Sequence, residues 1–201
     1  MKPTNATFKL LLFLLFSGAT IGASADVIDP FTAPQGPFTV GPGEELTEQE
    51  AVVETSSVLG GIRAALPTVD EVAQAGSTAT MEIAGGVFDC LVDFPSLGNL
   101  DNNGGCGSAY ARTVGPVFDL TGSSRFMLDI QSVQGVMVMG ILLVDAKGEA
   151  SVGLVENVVP GQASIPFNEL FPLTSLSGVN LSLVEIISLV VWWHFSGPAN
   201  A

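Results

Sequence analysis

The sequence predicts an all-β protein, a two-sheet antiparallel β-sandwich or jelly roll, and three observations carry that prediction. Short runs alternate apolar and polar residues with a period of two. Turn-forming Gly, Asn and Asp clusters separate the runs. No rhythm of strand and amphipathic helix is visible, which leaves sheets packing on sheets.

The stretch 117–155 is the centre of the pattern. Phe126, Leu128 and Ile130 alternate with Arg125, Met127, Asp129 and Gln131, so this strand is expected to be covered on one face. The next run, 136–144, is apolar at both parities and reads as a strand buried on both sides. Gly135 and Gly140 weaken a helical reading of it. Asp145-Ala146-Lys147-Gly148 has turn composition, and Ala150, Val152 and Leu154 alternate beyond it, which makes a hairpin.

Upstream, Ala79, Met81 and Ile83, then Gly85-Gly86, then Phe88, Cys90, Val92 and Phe94 form the clearest short hairpin. Gly60-Gly61 is a turn before a short strand at 62–66. Residues 99–107 read as a glycine- and asparagine-rich loop ahead of a strand at 108–113. Downstream, 163–167 is a short strand and 168–177 a connection with room for a helical turn. The run 186–195, apolar on both faces, is a further central strand.

The first 25 residues read as an export leader and not as part of the fold. Lys2 and Lys9 supply the positive start, 10–16 is an unbroken apolar run, and Ala23-Ser24-Ala25 is a small-x-small cleavage pattern before Asp26. A membrane anchor needs about 20 apolar residues, and Ser17-Gly18 interrupts this run early. Removal of the leader leaves four cations against 20 acids, a formal charge of −16. So acidic a surface disfavours nucleic acid and suits a solvated extracellular protein. Residues 181–195 are too short, and carry Glu185, to span a membrane. Three parts are expected: a leader at 1–25, an extended and loosely held acidic segment at 26–55, and one sandwich domain at 56–201.

Candidate sites are few. Cys90 and Cys106 are the only cysteines, and an even count in an exported chain predicts one disulfide, from a strand to the loop after it. Asp101 and Asn103, in Asp101-Asn102-Asn103-Gly104-Gly105, offer oxygen ligands to a structural calcium, as does Asp29; ordinary turn chemistry is the competing explanation. No other cofactor is implied. Trp192, Trp193 and His194 form the only aromatic-imidazole cluster. On a strand, Trp192 and His194 share one face and Trp193 takes the other, so the rings serve either as core or as a stacking platform for sugar. No catalytic residue is assigned: His194 is the only histidine, and no GxSxG elbow accompanies it. Asp89 and Asp93 share one strand face, and solvent-facing acids are their ordinary reading. Asn180-Leu181-Ser182 matches a glycosylation acceptor.

Three motifs carry a resemblance across most of the mature chain: Asp29-Pro30-Phe31, Gly60-Gly61-Ile62-Arg63, and Phe118-Asp119-Leu120-Thr121-Gly122 leading into the alternating strand at 126–130. In this order they resemble a group of uncharacterised exported bacterial proteins with a galactose-binding-like jelly-roll domain, of the PEP-CTERM-associated type. The resemblance implies a β-sandwich with a carbohydrate-binding role and carries over no catalytic residue. The group continues past a Gly-Pro-Ala-like stretch with an Asp-Phe strand and a Pro-Glu-Pro sorting tail, whereas this sequence stops at Gly197-Pro198-Ala199-Asn200-Ala201. The expectation is either an absent final strand, with an exposed edge prone to pairing, or a truncated chain.

The functional expectation is a secreted or surface-associated, non-enzymatic β-sandwich that binds extracellular polysaccharide or serves the extracellular matrix. The alternatives are a structural, self-associating surface protein and a glycoside-active enzyme, which would need two carboxyl groups facing each other across a cleft.

Overall fold

The computed structural model describes residues 5–11, 28–47, 51–95, 103–112, 118–135 and 137–194. Two antiparallel sheets face each other, as expected of an all-β sandwich. The strands are numbered along the chain. The first sheet holds β1 (Asn5–Leu11), β2 (Gln35–Val40), β6 (Thr78–Ala84), β7 (Val87–Asp93), β9 (Arg125–Val133) and β12 (Gly161–Pro166), in the order β12-β9-β1-β7-β6-β2. The second holds β3 (Val52–Glu54), β4 (Gly61–Ala65), β8 (Asn103–Arg112), β10 (Val138–Asp145), β11 (Ala150–Glu156), β13 (Phe171–Pro172) and β14 (Val184–His194), in the order β13-β11-β10-β14-β8-β4-β3. β5 (Thr68–Val69) adds to β8 beside this path. A 3-10 turn at Phe167–Glu169 begins one residue ahead of the connection at 168–177 where a helical turn was expected.

The two predicted hairpins form where local chemistry calls for them. β6 and β7 pair from Ala84 and Val87 outward, and Gly85 and Gly86 take positive φ of 60° and 82° between them. Both values belong to the left-handed region that suits a two-residue hairpin turn. β10 and β11 pair through the 145–148 turn. Met81, Ile83, Phe88, Cys90 and Val92 point inward from the first hairpin, and Phe126, Leu128 and Ile130 from β9. β9 is thus covered on one face, as its alternation predicts. β10 is less symmetric than its sequence: Met139, Ile141 and Leu143 are buried, while Val138, Leu142 and Val144 on the outer face are half-covered. β14 lies in the middle of its sheet, between β10 and β8.

Three expectations are corrected. Residues 1–25 were expected to lie outside the fold, but 5–11 form β1, between β7 and β9 of the first sheet. The segment 26–55 was expected to lie loosely ahead of the domain, but residues 28–47 and 51–54 are built into it. β2 and β3 belong to the two sheets, and Ile28, Phe31 and Val40 are core residues. Residues 103–107 were expected to be loop, but they open β8 and pair with 190–194 of β14. Glycine serves close approach here. A Cβ on Gly105 would sit 2.0 Å from the Val191 carbonyl oxygen, and one on Gly107 would sit 2.8 Å from that of Leu189. Cys106 is therefore a strand residue, and its bond to Cys90 (S–S 2.09 Å, Cα–Cα 5.9 Å) staples β7 of one sheet to β8 of the other.

A buried ion pair fixes the incoming segment. Arg63 on β4 and Asp29 have fully buried side chains and meet at 2.8 Å. Arg63 Nε donates to Gln35 Oε1 at 2.9 Å, and another guanidinium N–H donates to the Ala33 carbonyl. The Phe31 N–H donates to Asp29 Oδ1 at 2.6 Å, holding Phe31 at φ 54°. That strained conformation costs about 1–3 kcal/mol, which burial of the Phe31 ring against Phe88, with centroids 5.9 Å apart, offsets. A second carboxylate organises the far end. Asp145 Oδ1 accepts from the Lys147 and Glu149 N–H groups, at 2.8 and 3.1 Å, and Oδ2 accepts from Asn180 N–H at 2.9 Å. Above all the Asn180 N–H, and with it the other two, holds the Asp145 carboxyl below the usual range.

Removing one partner of the buried pair leaves the other charge unpaired, so Asp29→Asn or Arg63→Met should each lower stability by about 3–5 kcal/mol, whereas Asp29→Leu combined with Arg63→Met should cost less than the two singles together. Urea unfolding of the four proteins checks this. Asp145→Asn faces the Asn180 N–H with either an amide donor or a weakened acceptor. Because the folded carboxyl titrates below the unfolded value of about 3.9, its contribution is full above that value and is lost as pH falls through the folded pKa. The Tm gap between wild type and Asp145→Asn should be constant near neutrality and close on acidification below about pH 4.

Candidate functional site

β14 delivers its two tryptophans to opposite faces of the sheet. Trp193 points inward with Ile187, Leu189 and Val191 and is 4 % exposed. Among the described residues its Nε1 has no hydrogen-bond partner. Trp192, one residue earlier, lies on the outer face and is half-buried. Small neighbours make room for its ring. Gly105 stands opposite it on β8, and a Cβ built on Gly140 of β10 would come 3.5 Å from the indole Cζ3. Gly140 thus leaves room for the indole on the β10 side, while Gly105 lets the backbones of β8 and β14 lie close together.

Two depressions meet at Trp192. One, of about 360 Å³, is lined by Glu44, Glu45, Asp70, Glu71, Asn103 and Gly104 together with the indole. The other, of about 430 Å³, shares Glu44, Glu45, Thr68 and Trp192 and adds Leu46, Leu66 and Pro67. Both volumes lie in the range of small-ligand clefts. The result is one groove with an aromatic floor, an acidic wall and an apolar end.

Backbone hydrogen bonds hold the acidic wall in place. Gly43 N–H donates to the Val69 carbonyl at 3.1 Å, and Asp70 N–H donates to the Asn103 carbonyl at 3.0 Å. Glu44 Oε2 accepts from Gly41 N–H at 2.7 Å, and Asp70 Oδ1 accepts from Val72 N–H at 3.2 Å. Gly43 has φ 69°, and a Cβ there would meet that of Glu71 at 3.3 Å. The 41–46 turn is therefore docked on the 68–71 segment, and the two acidic doublets stand side by side although 26 residues separate Glu44 from Asp70. Carboxylates on such a frame accept hydrogen bonds from hydroxyl groups, and an indole face accepts the apolar C–H face of a sugar ring.

The sequence-read candidates divide as follows. Trp192 and Asn103 come together in the groove. Trp193 belongs to the core. His194 ends β14 in register with Asn103. Asp101 lies outside the described residues. Asp29 was read as a metal ligand, but its carboxylate is buried and held by Arg63, so the cation it meets is a guanidinium. Asn103 was read as a loop ligand, but it starts a strand. Among the described residues no group of three His, Cys, Asp or Glu side chains is placed to hold a metal ion. Cys90 and Cys106 serve the scaffold. Asn180 is exposed, and its Oδ1 accepts from Ser182 N–H and Oγ–H, at 3.1 and 2.9 Å, in a side-chain-closed turn. Sequence reasoning missed Glu44, Glu45, Asp70 and Glu71 as a group. Their signal was two acidic doublets, one after a Pro-Gly turn and one closing a strand.

No family model, curated protein or solved structure matches the chain.

Substitution of Gly105 is expected to disturb the groove from beneath. Gly105→Ala places a methyl group against the Val191 carbonyl and pushes β14 away from β8, so a loss of about 1–3 kcal/mol in urea unfolding, with a changed Trp192 emission, is the expected outcome.

Proposed function

We propose that the protein is an exported, non-enzymatic β-sandwich of galactose-binding-like jelly-roll type that binds extracellular polysaccharide in the groove at Trp192. The observation that carries the reading is the placement of Trp192. A ring on the outer face of the sheet's middle strand, beside two glycines and an acidic wall, is shaped for contact with a partner that has both apolar and hydroxyl surface. The division of labour between the tryptophans supports it, since the core needs only Trp193. The leader-like start and the two cysteines at disulfide distance support export to an oxidising compartment. The absence of cations from the named groove lining disfavours phosphate and sulfate, so the glycan is neutral or basic. Among the described residues no three acids are grouped to hold a metal ion, so the proposed binding is direct.

The test is titration of the secreted protein with neutral, basic and sulfated polysaccharides, in calcium and in chelator, followed by tryptophan emission. Saturable binding of a neutral or basic glycan, equal in calcium and in chelator, is expected. Trp192→Ala should weaken it on the order of tenfold or more, as loss of a central aromatic anchor does, while Trp193 remains as a reporter of the intact core. Binding unaffected by Trp192→Ala, no binding to any glycan, or release of reducing ends would sink the reading.

A further inference from the structure

The position of β1 has a consequence for the exported chain. Residues 5–11 lie within the stretch read as a leader, yet they form a central strand of the first sheet, between β7 and β9. β1 is antiparallel to both neighbours, with six registered pairs along β7 and four along β9. β7 and β9 therefore run parallel to each other. Removal of the leader leaves them about 10 Å apart, two strand spacings, with facing rows of backbone N–H and C=O groups.

We propose that this gap is a strand-acceptor slot, and that it takes an extended segment of another polypeptide, with apolar residues at alternate positions and a cation on its outward side. The proposal rests on the reading of residues 1–25 as a removed leader. The register defines the occupant. Position 8 of β1 is in register with Cys90, and position 10 with Phe88 and Ile130, all three of them core residues. A new strand must bring apolar side chains to those positions. Position 9 is in register with Asp89, which is itself paired with Glu82 of β6. Asn5 stands opposite Asp93, and Leu11 opposite Asp129. The outer rim of the slot is thus acidic, and Asp93 Oδ1 is buried with no hydrogen-bond partner among the described residues. A lysine or arginine at the position of Lys9 complements that rim.

The same chemistry shows why the occupant is not a second copy of the mature chain. Its four cations are Arg63, Arg112, Arg125 and Lys147. Arg63, Arg112 and Arg125 lie in β4, β8 and β9, and Lys147 lies in the turn between β10 and β11. Each belongs to an element already placed in the sandwich, so no cationic segment is left to donate. Main-chain pairing on both sides supplies affinity and the alternate pockets supply selectivity, as in other strand-addition complexes.

The protein is tested as secreted from the full gene. Its N-terminus is read by mass spectrometry, and a synthetic peptide of residues 4–12 is then added as the probe. A mature N-terminus at Asp26 is expected, with open amides in β7 and β9. The peptide should protect amides in 88–93 and 129–133 from exchange and raise Tm. A peptide with Lys9→Glu should bind about tenfold more weakly, and one with Phe8→Pro should not bind, because proline lacks the ladder N–H. A leader retained in the secreted protein overturns the proposal by removing its premise. A processed protein whose β7 and β9 amides are already protected, and which ignores the peptide, overturns the slot itself. Equal binding of the Lys9→Glu peptide overturns the charge requirement.

Discussion

The buried pair of Arg63 and Asp29 is the constraint on which the sandwich depends. A guanidinium cannot shed its proton, so once it is inside it must find carboxylate and carbonyl partners or leave. Those partners come from a segment whose own side chains would not fold it. Asp29, the Ala33 carbonyl and Gln35 converge on one cation, and in doing so they deliver Phe31 to the core and start β2 on its pairing with β6. The three motifs singled out in the sequence turn out to be neighbours in space. Asp29-Pro30-Phe31 meets Arg63 of the second motif, and a Cβ on Gly60 of that motif would come 2.7 Å from Phe118 of the third. These residues are scaffold, and the groove is elsewhere.

The second organising feature is the glycine-rich start of β8. Its glycines let the backbone of β14 lie close against it, while Cys106 between them reaches across to Cys90 on the other sheet. Cross-linking through a loop of this length contributes about 3 kcal/mol in the chain-entropy model. One glycine-rich strand therefore joins the two sheets covalently and receives β14, the longest of the described strands, at close range.

Most of the fold was legible because its signals are local. Gly85-Gly86 and the 145–148 turn announce their hairpins, and the parity of β9 and β14 assigns each side chain a face. Two regions defeated local reading for opposite reasons. Residues 103–107 carry turn composition, but their glycines answer a strand that follows some 80 residues later in the sequence. Residues 28–40 carry proline and irregular hydrophobic spacing, but a distant arginine holds them in the core. The site was half legible for the same reason. Parity put Trp192 and Trp193 on opposite faces, and only the packing of the sheets shows that Trp193 is the one that enters the core. The acidic wall depends on a turn at 41–46 docking onto 68–71, which no period in the sequence encodes.

The place of β14 also sets an order of events for synthesis. It is the last strand described, yet it sits mid-sheet and supplies pairing partners to both β8 and β10. A chain emerging from its N-terminus can close the β6–β7 and β10–β11 hairpins early. The second sheet stays in two halves until residues 184–194 arrive. Until then β8 and β10 expose unpaired edges and an apolar interior, the kind of surface that aggregates during slow, non-local folding. The acidic surface keeps such half-made chains apart by repulsion. Its charge thus serves the nascent polypeptide as much as the finished protein.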